Sequence, residues 1–359
     1  MQKDSVDFLF NLLKTPSVSG YEQAIQRVVK KRASKFADTV EVDVHGNLNA
    51  CLNPNGKIRV MLAGHCDQIG MMVTHIDDKG YLYFNQVGGL DPTVIPGSRV
   101  TVHTSSGSIP GVIGLKAVHL KTQAERGKKT ELDKLWIDIG AKDGKEARDK
   151  VSIGDVVTYQ LGVERLGKDM VTSPGLDDKV GVFVVMEALR LVSKAIKGKK
   201  KSFPVALHAV STVQEEIGLR GARTAAYGID PLVGIAVDVT HSTDYPGAEP
   251  KKIGAVGLGK GPTISRGANI NPVLEGLLFD TAKKKKIAHQ PLGTPGATGT
   301  DANPMQITRA GVAAGLIGIP NRYMHTQVEV VDLRDLEAAA KLIAETVLRI
   351  TSRMTFIPS

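Results

Sequence analysis

Two histidines, two pairs of adjacent acids and two lone aspartates follow apolar runs in this 359-residue chain. His65 closes the run IRVMLAGH, 58–65, and Asp67 stands two residues on. Asp177 and Asp178 lie in SPGLDDKVG, and Glu215 and Glu216 in STVQEEIG. Asp238 ends VGIAVD, and His325 follows the turn PNRYM. A buried strand running straight into two acids is unusual, because like charges beside a core are costly without cations. Imidazole and carboxylate donors without thiolates suit zinc, cobalt or manganese. The set His65, Asp177, Glu216, Asp238 and His325 is too large for one catalytic zinc, which keeps an open position. It suits two ions sharing a bridging carboxylate, an arrangement that activates water for hydrolysis. Glu215 and Asp67 remain over.

Each residue alone has a plainer reading. A histidine at a strand end is more often a hydrogen-bonded structural group, and an aspartate before a helix can be its N-cap. Capping needs only one of Asp177 and Asp178, however. Five segments all carrying donors at such places point to a shared site.

The elements that must position these groups alternate along the chain. Helical spacing covers 5–14 and about 21–35. Strand patterns follow at 39–44 and 48–52. The run 58–65 is apolar on both faces, as in a strand buried inside an α/β sheet. From about 71 to 165 the texture changes to short β-like runs broken by turns, which predicts a small all-β insert. The polar stretch 120–134 is expected to form a flexible loop. Alternation then resumes with a helix over 178–195 and a strand over 204–213. A helix near 219–227 and a strand over 232–238 come next. Further helices are expected over 271–285, 301–310 and 332–353, with a strand at 312–319. The expected fold class is therefore mixed-sheet α/β. A discontinuous catalytic domain (1–70 and 166–359) carries an inserted barrel-like β domain (71–165). If the sheet is parallel, most of the donor-bearing ends converge on one edge, where open α/β sheets build their sites.

Composition narrows the class. The formal charge is +9, with lysines massed at 197–201 and 283–286. No nucleic-acid motif accompanies them, so they read as solvated helix ends rather than as a nucleic-acid patch. Aromatics make up only 4%, which argues against base-stacking platforms. Two cysteines, Cys51 and Cys66, are too few for a disulfide framework and suit a reducing compartment. The start MQKD is polar, and no run of about 18 apolar residues exists. A cytoplasmic protein without membrane partners is expected.

Motifs in order along nearly the whole chain then carry a resemblance. They are SGYE (19–22), HGNL (45–48), GHCDQIG (64–70), LDDKVG (176–181), VQEEIGLRGA (213–222), AVDVT (236–240), GTDA (299–302) and RYMH (322–325). IPGSRV, LWIDIGA and IGD in the insert fit as well. The sequence resembles the tetrahedral metallo-aminopeptidases, a co-catalytic family that includes glutamyl aminopeptidases and proteins once labelled endoglucanases. The resemblance implies an aminopeptidase acting on peptides with two divalent ions per subunit. Asp177 would bridge them, His65 and Asp238 would complete one, and Glu216 and His325 the other. It implies Glu215 as general base, with Asp67 orienting His65. It also implies dimers assembled through the insert into a tetrahedral dodecamer.

Gln68 departs from the pattern, which has glutamate after His-x-Asp. Cys66 is expected as a small buried filler, and Lys179 as the partner of a neighbouring acid. A two-metal deacylase or dipeptidase would use the same ligands on another substrate. A metal-free glycosidase and a non-catalytic assembly protein are more distant readings, and a nucleic-acid binder rests on the lysines alone.

Overall fold

The computed structural model describes residues 1–124 and 126–358. Its centre is a mixed eight-stranded sheet. The strands are β1 (Thr39–Val42), β2 (Leu48–Leu52), β3 (Ile58–His65), β12 (Val205–Thr212), β13 (Val233–His241), β14 (Thr263–Gly267), β15 (Gln290–Thr294) and β16 (Ala313–Asn321). Their spatial order is β1-β2-β12-β3-β13-β16-β14-β15. The four middle strands β12, β3, β13 and β16 run parallel, while β2 and β14 join them antiparallel.

Side-chain alternation explains why the middle strands lack a polar face. Val60 and Leu62 of β3 enter one core with Leu207, Ile235 and Ile317. Met61 and Ala63 enter a second core on the other face with Val210, Ala236 and Leu316. Both faces are therefore covered, as parallel sheets require. The larger core packs under α1 (Lys3–Lys14), α2 (Gln23–Ala33), α4 (Leu176–Ala195), α7 (Pro272–Lys285) and α9 (Leu333–Val347). The smaller packs under α5 (Arg220–Ile229) and α8 (Ala302–Gln306).

Between β3 and α4 the chain forms a closed six-stranded barrel. Its strands are β4 (Gly70–Ile76), β5 (Leu82–Val87), β6 (Arg99–Thr104), β7 (Gly107–Gly114), β8 (Trp136–Asp138) and β9 (Val156–Tyr159), in the order β4-β5-β8-β7-β6-β9. Met71, Val73, Leu82, Phe84, Val102, Ile137 and Val157 fill a separate apolar core. A three-stranded sheet joins β10 (Glu164–Leu166), β11 (Met170–Thr172) and β17 (Val330–Asp332).

The differences from expectation have local causes. Helix α3 (Gly144–Lys150) interrupts the β texture of the insert, capped by Asp143, whose carboxylate accepts the Glu146 N–H. A short helix α6 (Pro250–Ile253) begins at a proline. Strand β15 (QPLGT) carries proline and glycine at the sheet edge, where such residues are tolerated, and β14 (TISRG) beside it ends on glycine. The last helix stops at Val347, short of 353, before the β-branched Ile350 and Thr351. The helix expected over 301–310 is α8 alone, ending at Gln306. In the polar stretch 120–134 the chain makes a 3-10 turn over Leu132–Lys134, and Glu125 lies outside the described residues. Among the described residues no helix is long and apolar enough to cross a membrane.

Helix α4 is the element to which the site is tied. Sixteen of its twenty residues are buried. Phe183 is fully enclosed, with its ring centroid 6.1 Å from that of Phe8. Phe183→Ala is expected to cost about 3–5 kcal/mol by leaving a cavity between α4 and α1. Guanidinium chloride unfolding checks this, and a loss under 1 kcal/mol would mean that the core collapses to fill the gap.

Candidate metal centre

The parallel strands deliver their acids and histidines to one edge. His65 is the last residue of β3. The register that pairs Ala63 with Ala236, carried on two residues, sets Asp238 of β13 beside His65. Strand β12 ends at Thr212, paired with His65, and the chain turns at once into Glu215 and Glu216. His325 lies four residues beyond β16, with φ +63°.

Asp177 arrives at the same place from α4. Asp177 and Asp178 have non-helical backbone, and regular helix begins after them. Asp178 supplies the cap: its carboxylate accepts the Gly181 N–H at 3.0 Å and the His65 N–H at 3.2 Å. One carboxylate thus ties the start of α4 to the end of β3. The two elements touch through glycine. A Cβ on Gly64 would meet the Gly181 carbonyl carbon at 2.5 Å. Capping uses Asp178 and leaves Asp177 free.

The side chains converge. Asp177 Oδ1 is 3.2 Å from His65 Nε2, and Asp177 Oδ2 is 3.2 Å from His325 Nε2. Asp238 Oδ1 and Glu215 Oε2 lie 3.9 and 3.7 Å from His65 Nε2. Glu216 Oε2 lies 3.5 Å from His325 Nε2. Among the described residues two groups have donor atoms mutually close enough to hold an ion: His65, Asp177 and Glu216, and His65, Glu215 and Asp238. All seven residues singled out from the sequence meet here, Asp67 included.

The carboxylates are charged groups out of water, and their protonation shows it. Burial raises Glu216 well above the usual carboxylate range, with Asp177 adding to the rise. Burial likewise raises Glu215 and Asp238, partly offset by His65. Burial also pushes Asp177 up, but hydrogen bonds from His325 and His65 outweigh it and hold Asp177 low. For His65, burial is outweighed by Glu215, Asp177 and Asp67, and its pKa stands well above the ordinary value. Glu216 Oε1 is buried with no hydrogen-bond partner among the described residues. Clustered carboxylates, two histidines and an orphaned oxygen fit hard or borderline divalent cations.

A second layer holds these donors. Asp67 is fully buried. Its Oδ1 accepts the Glu215 N–H at 3.0 Å and its Oδ2 the Glu216 N–H at 3.2 Å. Its Oδ2 also accepts from Ser19 Oγ at 2.6 Å. His65 Nδ1 lies 3.1 Å from the Asp67 backbone carbonyl and 3.4 Å from its carboxylate. Asp67 therefore fixes the Glu215–Glu216 turn as well as facing His65. The barrel reaches the site too. A Cβ on Gly89 would stand 3.2 Å from His325 Nδ1, and the Gly89 backbone hydrogen-bonds His325. Sequence reasoning gave no role to Gly89, Glu329 or Asp301. Asp301 accepts from Thr212 Oγ1 at 2.5 Å, and its other oxygen has no partner among the described residues.

Lys179 differs from expectation. It is fully buried, but its ammonium donates to Gln68 Oε1 and to the Thr15 carbonyl, and to no acid among the described residues. Thus Gln68 is the partner.

Fold and cluster together define a class: α/β peptidases that work with metal. The chain belongs to the M42 glutamyl aminopeptidase family, whose pattern matches residues 46–342. It is 38% identical over 357 residues to the lysyl aminopeptidase of Pyrococcus furiosus, covering 98% of this chain and 99% of that protein. Its fold is similar to a TET aminopeptidase from a marine-sediment Thaumarchaeota archaeon, with TM-score 0.91, 32% identity and 97% of each chain covered. It is also similar to the Pyrococcus horikoshii TET1 peptidase, with TM-score 0.85, 31% identity, and 96% of this chain and all of that one covered. That peptidase assembles into a tetrahedron or a large octahedral shell.

The raised carboxylates and histidines set the sign of a pH effect. Glu216, Asp238, His65 and His325 all have pKa values above their ordinary ones, so the metal-free centre retains protons that a cation must displace. Zinc affinity is expected to rise from pH 6 to pH 8, with net proton release on binding. Calorimetry in two buffers of different ionisation enthalpy measures that release. Binding that neither liberates protons nor tightens with pH would mean the cation sits elsewhere.

Proposed function

We propose that this protein hydrolyses the N-terminal residue from peptides with two divalent ions per subunit, zinc or cobalt being preferred and manganese also accepted. The observation that carries the reading is Asp177, whose two oxygens each face a different histidine at 3.2 Å. A carboxylate so placed can bridge two ions. His65 and Asp238 would complete one, and Glu216 and His325 the other. Ions held there supply Lewis acidity toward a carbonyl and lower the pKa of a water.

The chain's own groups do the rest. Glu215 also lies near the first ion's site, 3.7 Å from His65 Nε2, but with Asp177 and Asp238 holding that ion its carboxylate would be left to take a proton and return it to the leaving amine. Asp67 holds the Glu215 and Glu216 amides and so keeps one acid for proton transfer while the other faces His325. The wall of the site at Gly88 and Gly89 comes from the barrel.

The same reading takes residues 1–70 and 166–359 as the catalytic domain and 71–165 as an insert that mediates assembly. Homo-oligomers, dimers built into a tetrahedral dodecamer, are part of it, supported by the shells of the TET relatives. Two unpaired buried cysteines support a cytoplasmic setting.

Chelated protein assayed on aminoacyl-anilides and their N-acetylated forms tests the reading. Cleavage of free-amine substrates only, and only after zinc, cobalt or manganese is restored, is expected. Equal cleavage of blocked substrates would favour a deacylase instead. Glu215→Gln should keep both ions while kcat falls at least ~100-fold. Loss of an ion in that variant would make Glu215 a ligand rather than the base.

A further inference from the structure

Glu329 carries two hydrogen bonds that no role yet described explains. It precedes β17 and is 1% exposed. Its Oε2 accepts the backbone N–H of Asp177 at 3.0 Å. Its Oε1 accepts the backbone N–H of His325 at 2.9 Å. The two amides belong to residues distant in sequence and on different elements. They are the residues whose side chains face each other across 3.2 Å.

The position of Glu329 is itself secured. Val330, Val331 and Asp332 pair with Thr172, Val171 and Met170 of β11. The Glu329 carbonyl accepts the Ser173 N–H at 3.2 Å. The carboxylate is thus mounted on a small sheet that also leads, through 173–175, into α4. His325 lies outside a regular strand, in a turn closed at its base by backbone hydrogen bonds between Arg322 and Val330. It has left-handed backbone and a side chain 37% exposed.

We infer that Glu329 is a positioning residue that couples the bridging Asp177 to His325 and so assembles the second metal site. The inference rests on the two-metal reading above. A carboxylate is the side chain suited to this place, because both N–H groups need an acceptor and its two oxygens provide one each. Glutamine has nearly the same shape but offers one acceptor and one NH2. Whichever way its amide turns, one of the two backbone N–H groups faces a donor. Outer-layer partners of this kind commonly change metal affinity about 10–100-fold when altered.

The test is stepwise zinc titration of metal-free wild type, E329Q and E329D, followed by calorimetry and by metal content after dialysis. Wild type is expected to take up two ions. E329Q should hold one ion within about threefold of wild-type affinity and bind the other about 10–100-fold more weakly. E329D keeps both oxygens on a shorter arm, so it should show the same split to a smaller degree and guards against a folding defect in E329Q. Turnover of E329Q should recover toward wild-type kcat at saturating zinc, which a general structural defect would not allow. In an H325A background, adding E329Q should weaken zinc little further. Two sites of wild-type affinity in E329Q, or two sites weakened equally, would overturn the role of Glu329 and leave the two-metal reading standing. A wild-type protein that takes up fewer than two ions would overturn that reading, and this inference with it.

Discussion

The structure is organised around a concentration of negative charge that cannot be left out of water by itself. Asp67, Asp177, Asp178, Glu215 and Asp238 are all buried within a few ångströms of His65. Burying an unpaired carboxylate costs more than any one core side chain returns. Two histidines cannot neutralise five acids. Protons meet part of the demand, because burial raises Glu215, Glu216 and Asp238. Cations meet it better, because they also satisfy lone pairs such as that of the orphaned Glu216 Oε1. The rest of the fold supplies the stability that lets such a cluster persist. The apolar strands behind it and the nearly all-buried α4 are the means.

The scaffold also explains how the cluster is held in geometry. Donors on separate segments would drift if each were placed only by its own loop. Instead the amides and carboxylates around them cross-link the segments. Asp178 joins α4 to β3, and Asp67 joins the end of β3 to the turn after β12. Glu329 joins α4 to the turn after β16. These acids accept backbone N–H groups, so the donors are positioned through their main chains, with the side chains left to face the cations. Parallel pairing sets His65 and Asp238 at one level before any side chain acts.

Much of this was legible in the residues themselves. His65, the Glu215–Glu216 pair and Asp238 each ended or followed an unbroken apolar run, where a charge is conspicuous. Asp177 and Asp178 stood before a long helical pattern, and capping accounted for one of them. Strands β14 and β15 gave no such signal, because glycine and proline break their alternation. Gly89 acts through its backbone, which no side-chain pattern reveals. Glu329 had a signal that was passed over: in QVEVVD it interrupts a run of valines, as the glutamates after β12 interrupt theirs. Its strand is only three residues long, too short for alternation to establish which face the acid takes. The partner of Lys179 is not legible in the sequence, because proximity to acids says nothing of direction inside a packed helix start.

That lysine completes the electrostatic argument. Lys179 follows the two aspartates of α4 and is sealed from solvent, with neutral oxygens of Gln68 and Thr15 as its partners. Burial pushes it down to about 7, with Cys66 and Glu329 pulling the other way. A glutamate at position 68 would form a buried ion pair, cancelling the lysine's field locally and adding another carboxylate to an already crowded neighbourhood. Glutamine keeps the hydrogen bond and withholds the charge. Whatever positive charge Lys179 carries then faces Glu329 and the Cys66 thiol rather than an acid at position 68. Gln68 therefore leaves every donor in place and gives the buried lysine a neutral partner.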